Sequence, residues 1–252
     1  MPTKIFAHRG DSLHFPENSL DAFRAADRLG ADGIEIDVQR SVDGTLVVIH
    51  DEELSRLTGR AGFVHETTLA ELGTRVLRGP DGTTAAIPTL EDVLRLVADT
   101  ALELNIELKN SLFPAPDLED DVVALVGRYG LQDRVIYSSF NHLSIKKLVD
   151  LGFGSQSALL FSSWLYRPWS YAAAIGAAAI HPSYNVLQYP NLIEVCHEND
   201  LAVRTWTVDR PDHIRLVLSL GPDALMTNDP ALALRLREAG GFARQKETPH
   251  AT

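Results

Sequence analysis

Residues 5–23, IFAHRGDSLHFPENSLDAF, and 30–54, GADGIEIDVQRSVDGTLVVIHDEEL, contain the first turns of the chain's repeating plan and most of its chemistry. The short apolar run Ile5-Phe6-Ala7 ends at His8, and Leu46-Val47-Val48-Ile49 ends at His50. Between them Glu35 and Asp37 alternate with Ile34, Ile36 and Val38. That period of two predicts a strand with both carboxylates on one face, roughly 7 Å apart along it. Carboxylates converging inside a fold repel one another and lose hydration, which calls for a bound cation. Two nearby imidazoles supply a general acid and a general base at neutral pH. The combination points to metal-assisted cleavage of an anionic substrate.

The unit of strand, loop and helix repeats along the chain. Strands are predicted at 4–8, 33–39, 102–108, 134–138, 154–160, 178–181, 202–206 and 223–227, most of them short and rich in Ile, Val or Leu, as buried parallel strands are. Helices are predicted between them at 19–29, 89–98, 118–129, 142–151, 169–176, 190–199, 211–219 and 230–239. Thr89 with Asp92 reads as a capping box and Pro211 as a first-turn residue, while Gly30, Gly130 and Gly152 fall at C-caps. Eight such alternations predict an α/β fold, a (β/α)8 TIM barrel, over a doubly wound open sheet. VDGT followed by LVVIH suggests a hairpin after the second strand. Residues 1–239 are read as one catalytic domain, with 51–88 a small inserted lobe beside the barrel mouth and 240–252 a polar, disordered tail.

Composition narrows the function. A net charge of −11 argues against general nucleic-acid binding and against an anionic membrane surface. The single Cys196 excludes a disulfide framework or a thiolate zinc cluster and reads as a packed thiol. No signal peptide precedes the first strand and no apolar run reaches membrane length, so a cytoplasmic protein without a stable membrane anchor is expected. No serine-hydrolase elbow, phosphate-binding P-loop, zincin helix or C-x-x-C pair is present.

In such barrels the chemistry gathers at the C-terminal ends of the strands. There this sequence places His8-Arg9, Glu35 and Asp37, Glu107 and Lys109, SSFNH, TWTVD and MTND. HRG, PEN, GADGIEIDVQ, DGTLVVIHD, IPTLEDVL, NIELK, SSF and TWTVD, in this order from His8 to about Pro230, resemble the glycerophosphodiester phosphodiesterase family. The resemblance implies a (β/α)8 barrel with an insertion after strand two. It implies His8 and His50 as the acid–base pair, and Glu35, Asp37 and Glu107 as ligands of one divalent cation, Mg²⁺ or Ca²⁺. Arg9 would bind phosphate and Lys109 would add positive charge there. Glu17 and Asn18 would shape the pocket, and Trp206 would line its glycerol side. The MTNDP segment matches loosely, leaving Asn228 and Asp229 without an assigned role. The substrate implied is a small glycerophosphodiester, cut to glycerol 3-phosphate and an alcohol. A phosphoinositide- or phospholipid-cleaving relative and a noncatalytic phosphate-binding barrel are the alternatives. Outside this set, His142 is expected in solvent and His181 in a structural or rim position. His14, His65, His197, His213 and His250 are expected on the surface. The aromatic run 159–171 is either a hydrophobic rim or helix packing.

Overall fold

In the computed structural model, which describes residues 2–241, eight parallel strands close into a barrel. They are β1 (Lys4–His8), β2 (Gly33–Arg40), β3 (Glu103–Leu108), β4 (Val135–Ser139), β5 (Ser157–Phe161), β6 (Ala179–Pro182), β7 (Ala202–Thr205) and β8 (Ala224–Thr227). Each pairs with its sequence neighbours, and β1 closes the ring by pairing with both β8 and β2. The fold is therefore the TIM barrel expected from the alternation. His250 and residues 242–252 of the proposed tail lie outside the described residues.

The alternation of side chains across each strand divides two cores. Ile34, Ile36 and Val38 face the surrounding helices in the larger one. Phe6, Ile136, Ala158, Ala179, Ala224 and Met226 fill the barrel itself. Gly33 is required beside Phe6, because a Cβ there would lie 2.8 Å from the ring and 2.7 Å from the Glu103 carbonyl. The register then levels the functional side chains: His8 pairs with Glu35, Glu35 with Asn105, and Asp37 with Glu107.

Local signals set the helix ends. Ser19 caps Leu20–Leu29 by accepting from the Ala22 N–H, and Gly30 ends it in the left-handed region at φ 80°. Thr89 and Asp92 form the predicted capping box of Leu90–Ala98. The helix predicted over 142–151 is α-helical only through His142–Leu148. A π-turn, Val149–Phe153, follows, with Gly152 left-handed inside it. Cys196 is buried, as expected.

After β2 the chain reverses through Leu46–Val48, antiparallel to β2 with Val38 opposite Val48. Residues 51–88 then gather on a small core of Val47, Ile49, Leu54, Leu57, Val64, Leu72 and Leu77. They include a two-stranded ribbon, Val76–Arg78 with Thr84–Ala86.

Candidate active site

The HRG turn starts the site. Arg9 and Gly10 both take positive φ, 58° and 81°, and Asn18 does so at 59°. For Arg9 this is a costly conformation, of order 1–3 kcal/mol, and such costs cluster where a fold holds functional groups. The turn aims the Arg9 N–H at the Glu35 carboxylate, 3.1 Å away, and brings the Arg9 guanidinium 2.8 Å from Glu17 and 3.3 Å from Asp37. Asn18 donates to Asp37 at 2.8 Å.

Glu35, Asp37 and Glu107 are brought together, each offering an oxygen within 4.8 Å of the others. Burial raises the Glu35 carboxyl well above the usual range, and the charges of Asp37 and Glu107 raise it further. Glu107 is raised by burial and Asp37, with Lys109 opposing. Burial pushes Asp37 the same way, yet Arg9 and Lys109 outweigh it and hold Asp37 below the carboxylate range. Lys109 sits 3.0 Å from Glu107 and 3.7 Å from Asp37. The Oδ1 of Asp37 is buried and accepts no hydrogen bond. An orphaned carboxylate oxygen in an all-oxygen triad fits a hard divalent cation, which would relieve the mutual repulsion. This buried triad is capable of holding such an ion.

The two histidines are oriented by different means. His8 Nδ1 lies 2.8 Å from Asn228 Oδ1. The Asn228 amide faces that way because its Nδ2 donates to Asp209 at 2.7 Å, and a carboxylate only accepts. The His8 Nδ1 therefore carries the proton, and Nε2, 3.9 Å from Glu35, presents its lone pair. Burial, followed by the Arg9 charge, lowers the His8 pKa to about 4, so the ring is neutral at pH 7. His50 reaches the mouth from the hairpin: Ile49 N–H donates to the Asp37 carbonyl, and Gln39 Nε2 donates to the carbonyls of Ile49 and His50. Its Nδ1 lies 2.6 Å from Asp51. Arg56 grips Asp51 and also Glu17, both Arg56–Glu17 contacts being 3.0 Å. Arg9, Glu17, Arg56, Asp51 and His50 thus form one chain of charges across the mouth.

A cavity of about 70 Å³ lies between these groups. Polar His8, Arg9, Glu35, His50, Asn105 and Glu107 line it together with Phe140, Leu160, Trp206, Thr207 and Met226. Trp206 donates its indole N–H to the His181 carbonyl at 2.7 Å and stands edge-on to Phe140, ring centres 5.5 Å apart. Glu17, Asn18 and Lys109 touch the arginine and carboxylates and do not border the cavity.

Some of these parts carried no readable signal. Asp51 stood in the quoted HD pair and Asp209 ends the quoted TWTVD, neither with a role of its own, whereas Arg56 had no pattern. Asn228 belonged to the loosely matching segment, while Asp229 caps the last helix by accepting from Leu232 N–H. His142 is not left to solvent: it bridges the Leu160 carbonyl at 2.8 Å and the Tyr171 hydroxyl at 3.0 Å. His181 is fully buried, so a rim position is excluded. Within 159–171, Trp169 packs edge-on to Tyr189 whereas Trp164 and Tyr166 are exposed, so the run divides between both readings.

Comparison with known proteins agrees along nearly the whole chain. The sequence model of the glycerophosphoryl diester phosphodiesterase family matches residues 8–232. A glycerophosphodiester phosphodiesterase of Caldanaerobacter subterraneus subsp. tengcongensis is 39% identical over 245 residues, covering 96% of this chain and 100% of that one. One from Bacillus altitudinis is 38% identical over 241 residues, 94% of this chain and 98% of its own. The crystal structure of a glycerophosphodiester phosphodiesterase from Parabacteroides distasonis superposes with a TM-score of 0.81 at 27% identity, over 95% of this chain and 98% of that one.

Proposed function

The chain belongs to the glycerophosphoryl diester phosphodiesterase family and is an enzyme that hydrolyses glycerophosphodiesters; from that premise we propose that it works with one divalent cation on Glu35, Asp37 and Glu107, His8 as general base and His50 as general acid. The observation that carries this reading is the pair of differently held histidines that line one cavity together with Glu35 and Glu107 of the buried carboxylate triad.

A phosphodiester is anionic, and its nonbridging oxygens must be neutralised as attack proceeds. Bound at the triad, Mg²⁺ or Ca²⁺ would act as a Lewis acid toward those oxygens. Arg9, held in place by Glu17, offers a fork of N–H donors that matches phosphate geometry. Lys109 steadies Glu107 and Asp37 and adds positive charge below the phosphate. His8, neutral and with Nε2 free, accepts the proton of the nucleophile. Its Nδ1–H stays on Asn228, so the ring keeps its orientation as it charges. His50 delivers a proton from Nε2 to the departing alkoxide, while Asp51 at Nδ1 offsets the charge of the protonated ring. Trp206, with Phe140 and Met226, excludes water from the organic side of the cavity and supports the glycerol. The products are sn-glycerol 3-phosphate and a free alcohol. A single catalytic domain with the lobe at 51–88 and a cytoplasmic setting complete the reading; among the described residues no helix is long and apolar enough to cross a membrane.

The test is release of glycerol 3-phosphate from glycerophosphoethanolamine, first with EDTA and then with Mg²⁺ or Ca²⁺ restored. Release that stops with chelator and returns with metal supports the proposal. Release unaffected by exhaustive chelation contradicts it.

A further inference from the structure

Asp209, which ends TWTVD in the loop after β7, is exposed and borders neither the catalytic cavity nor the carboxylate triad. It nevertheless accepts three hydrogen bonds from the end of β8 and the residue after it. Its Oδ1 takes the Asn228 backbone N–H at 2.8 Å and the Thr227 hydroxyl at 3.1 Å, and its Oδ2 takes Asn228 Nδ2 at 2.7 Å. The adjacent Arg210 is turned to Asp212, 3.0 Å away, and Asp209 forms no ion pair among the described residues. A carboxylate engaged in this way is an acceptor of fixed position, not a counter-ion.

The other contacts of the Asn228 side chain are reversible. Its Oδ1 faces His8 Nδ1 at 2.8 Å and the Ser12 hydroxyl at 2.9 Å. A neutral imidazole nitrogen donates or accepts according to the tautomer, and a hydroxyl does both. Ser12 Oγ also lies 2.8 Å from the His8 carbonyl, so its one proton has a second acceptor and its lone pairs could receive an amide N–H. An Asn228 amide turned over would therefore be satisfied by Ser12 and by an unprotonated His8 Nδ1. The backbone would not have to move, because the Asn228 carbonyl stays on the Leu13 N–H at 3.0 Å. His8 would then carry its proton on Nε2, and no lone pair would face Glu35 and the cavity. Among these contacts only Asp209, which cannot donate, breaks the symmetry.

We propose that Asp209 is a positioning residue for the hydrolysis: it sets the tautomer of His8 through Asn228, and the base requires one carboxylate and one amide at positions 209 and 228, in either order. The inference rests on the proposed function for the role of His8 as base. Asp209→Asn leaves one acceptor oxygen, which the fixed Asn228 backbone N–H claims. The new amide N–H then meets Asn228 Nδ2, donor against donor, and turns the Asn228 amide over. Exchanging both residues restores the pattern. The amide now at 209 donates to the carboxylate now at 228, which can only accept from His8 Nδ1.

The experiment compares wild type, Asp209→Asn and the exchange of Asp209→Asn with Asn228→Asp, each with Mg²⁺ or Ca²⁺ supplied. The His8 tautomer is read at neutral pH from long-range proton–nitrogen NMR spectra, with His8→Gln assigning the signal, and kcat is measured on glycerophosphoethanolamine. Wild type should carry the proton on Nδ1, Asp209→Asn on Nε2, and the exchanged variant on Nδ1 again. A wrong tautomer can disable a base by about 10⁴-fold. Asp209 is open to water and acts through a second side chain, so Asp209→Asn should lower kcat roughly tenfold and leave KM within about twofold. The exchange should return kcat to within about threefold of wild type. A proton on Nε2 in wild type, or one kept on Nδ1 in Asp209→Asn, overturns the inference whatever the rates and leaves the hydrolase reading intact. A loss of kcat that the exchange does not recover, with circular dichroism unchanged, overturns it as well. If the tautomer follows the substitutions and kcat does not, His8 is not the base: the proposed function fails, and the catalytic half of this inference with it. Should Asp209→Asn not fold, the wild-type spectrum and the exchanged variant decide by the same criteria.

Discussion

His8 ends a barrel strand, is half-buried, and is held through Nδ1 by the neutral amide of Asn228; His50 sits on a hairpin appended outside the barrel and is held by the charged Asp51. The difference suits two chemically similar rings to the two roles proposed for them. Asn228 fixes a tautomer without adding negative charge, and burial keeps His8 a free base. Asp51 fixes the same tautomer but adds a countercharge, which suits the proton-donor role proposed for His50. On the proposed mechanism the barrel supplies the base and the carboxylates, and the inserted region supplies the acid. Arg56, between Asp51 and Glu17, joins the two halves.

The largest effects should come from removing a half altogether. His8→Ala and His50→Ala should each lower kcat by about 10²–10⁴-fold with the far-ultraviolet circular dichroism unchanged. Wild-type-like turnover in either would remove that histidine from the pair. Glu35→Ala should weaken cation binding and activity together, as read by calorimetric titration and steady-state rates. Unchanged metal affinity would count against its place in the triad.

Next in size are changes to the partners. Asp51→Asn should cost about 10²-fold or more in kcat, because the ring loses its countercharge and its tautomer is no longer specified. Arg56→Ala should cost less, roughly tenfold, since Asp51 stays but loses its grip. Asn228→Asp makes the partner of His8 resemble that of His50. Added negative charge raises the His8 pKa, so the acidic limb of the kcat/KM profile should move to higher pH. An unmoved limb would mean that His8 is not the group titrating there.

The smallest effect is on stability. In the metal-free protein His8 has a pKa of about 4, against 6.5 for the exposed side chain. Between those values the unfolded chain binds a proton that the native chain does not, so stability rises with pH. The contribution is complete above pH 6.5 and is lost as pH falls through about 4. His8→Gln should flatten the urea-unfolding free energy against pH across that window, and a slope equal to that of wild type would contradict the half-buried, neutral ring.

The barrel was legible because its strands are continuous apolar runs with turn residues between them, and parallel pairing of neighbours follows from that pattern alone. The carboxylates were legible because period-two spacing puts Glu35 and Asp37 on one face, and the register adds Glu107. The lobe was less so: Val76–Arg78 and Thr84–Ala86 are three-residue strands with exposed ends, too short for periodicity to appear. Asn228 and Asp209 lie in different strand–helix units, and only barrel closure brings the first onto His8. His142 looked exposed because it starts a helix. Its ring is drawn inward by Leu160 and Tyr171, distant in sequence.

The division of labour is tested most directly by the leaving group. Rates of His8→Ala and His50→Ala on glycerophosphoethanolamine should be compared with those on a glycerophosphodiester of p-nitrophenol, whose departing oxygen needs no proton. The account predicts that His50→Ala recovers most of its lost activity on the nitrophenyl diester and His8→Ala recovers none. Recovery by His8→Ala, or equal loss by both variants on both substrates, would contradict it.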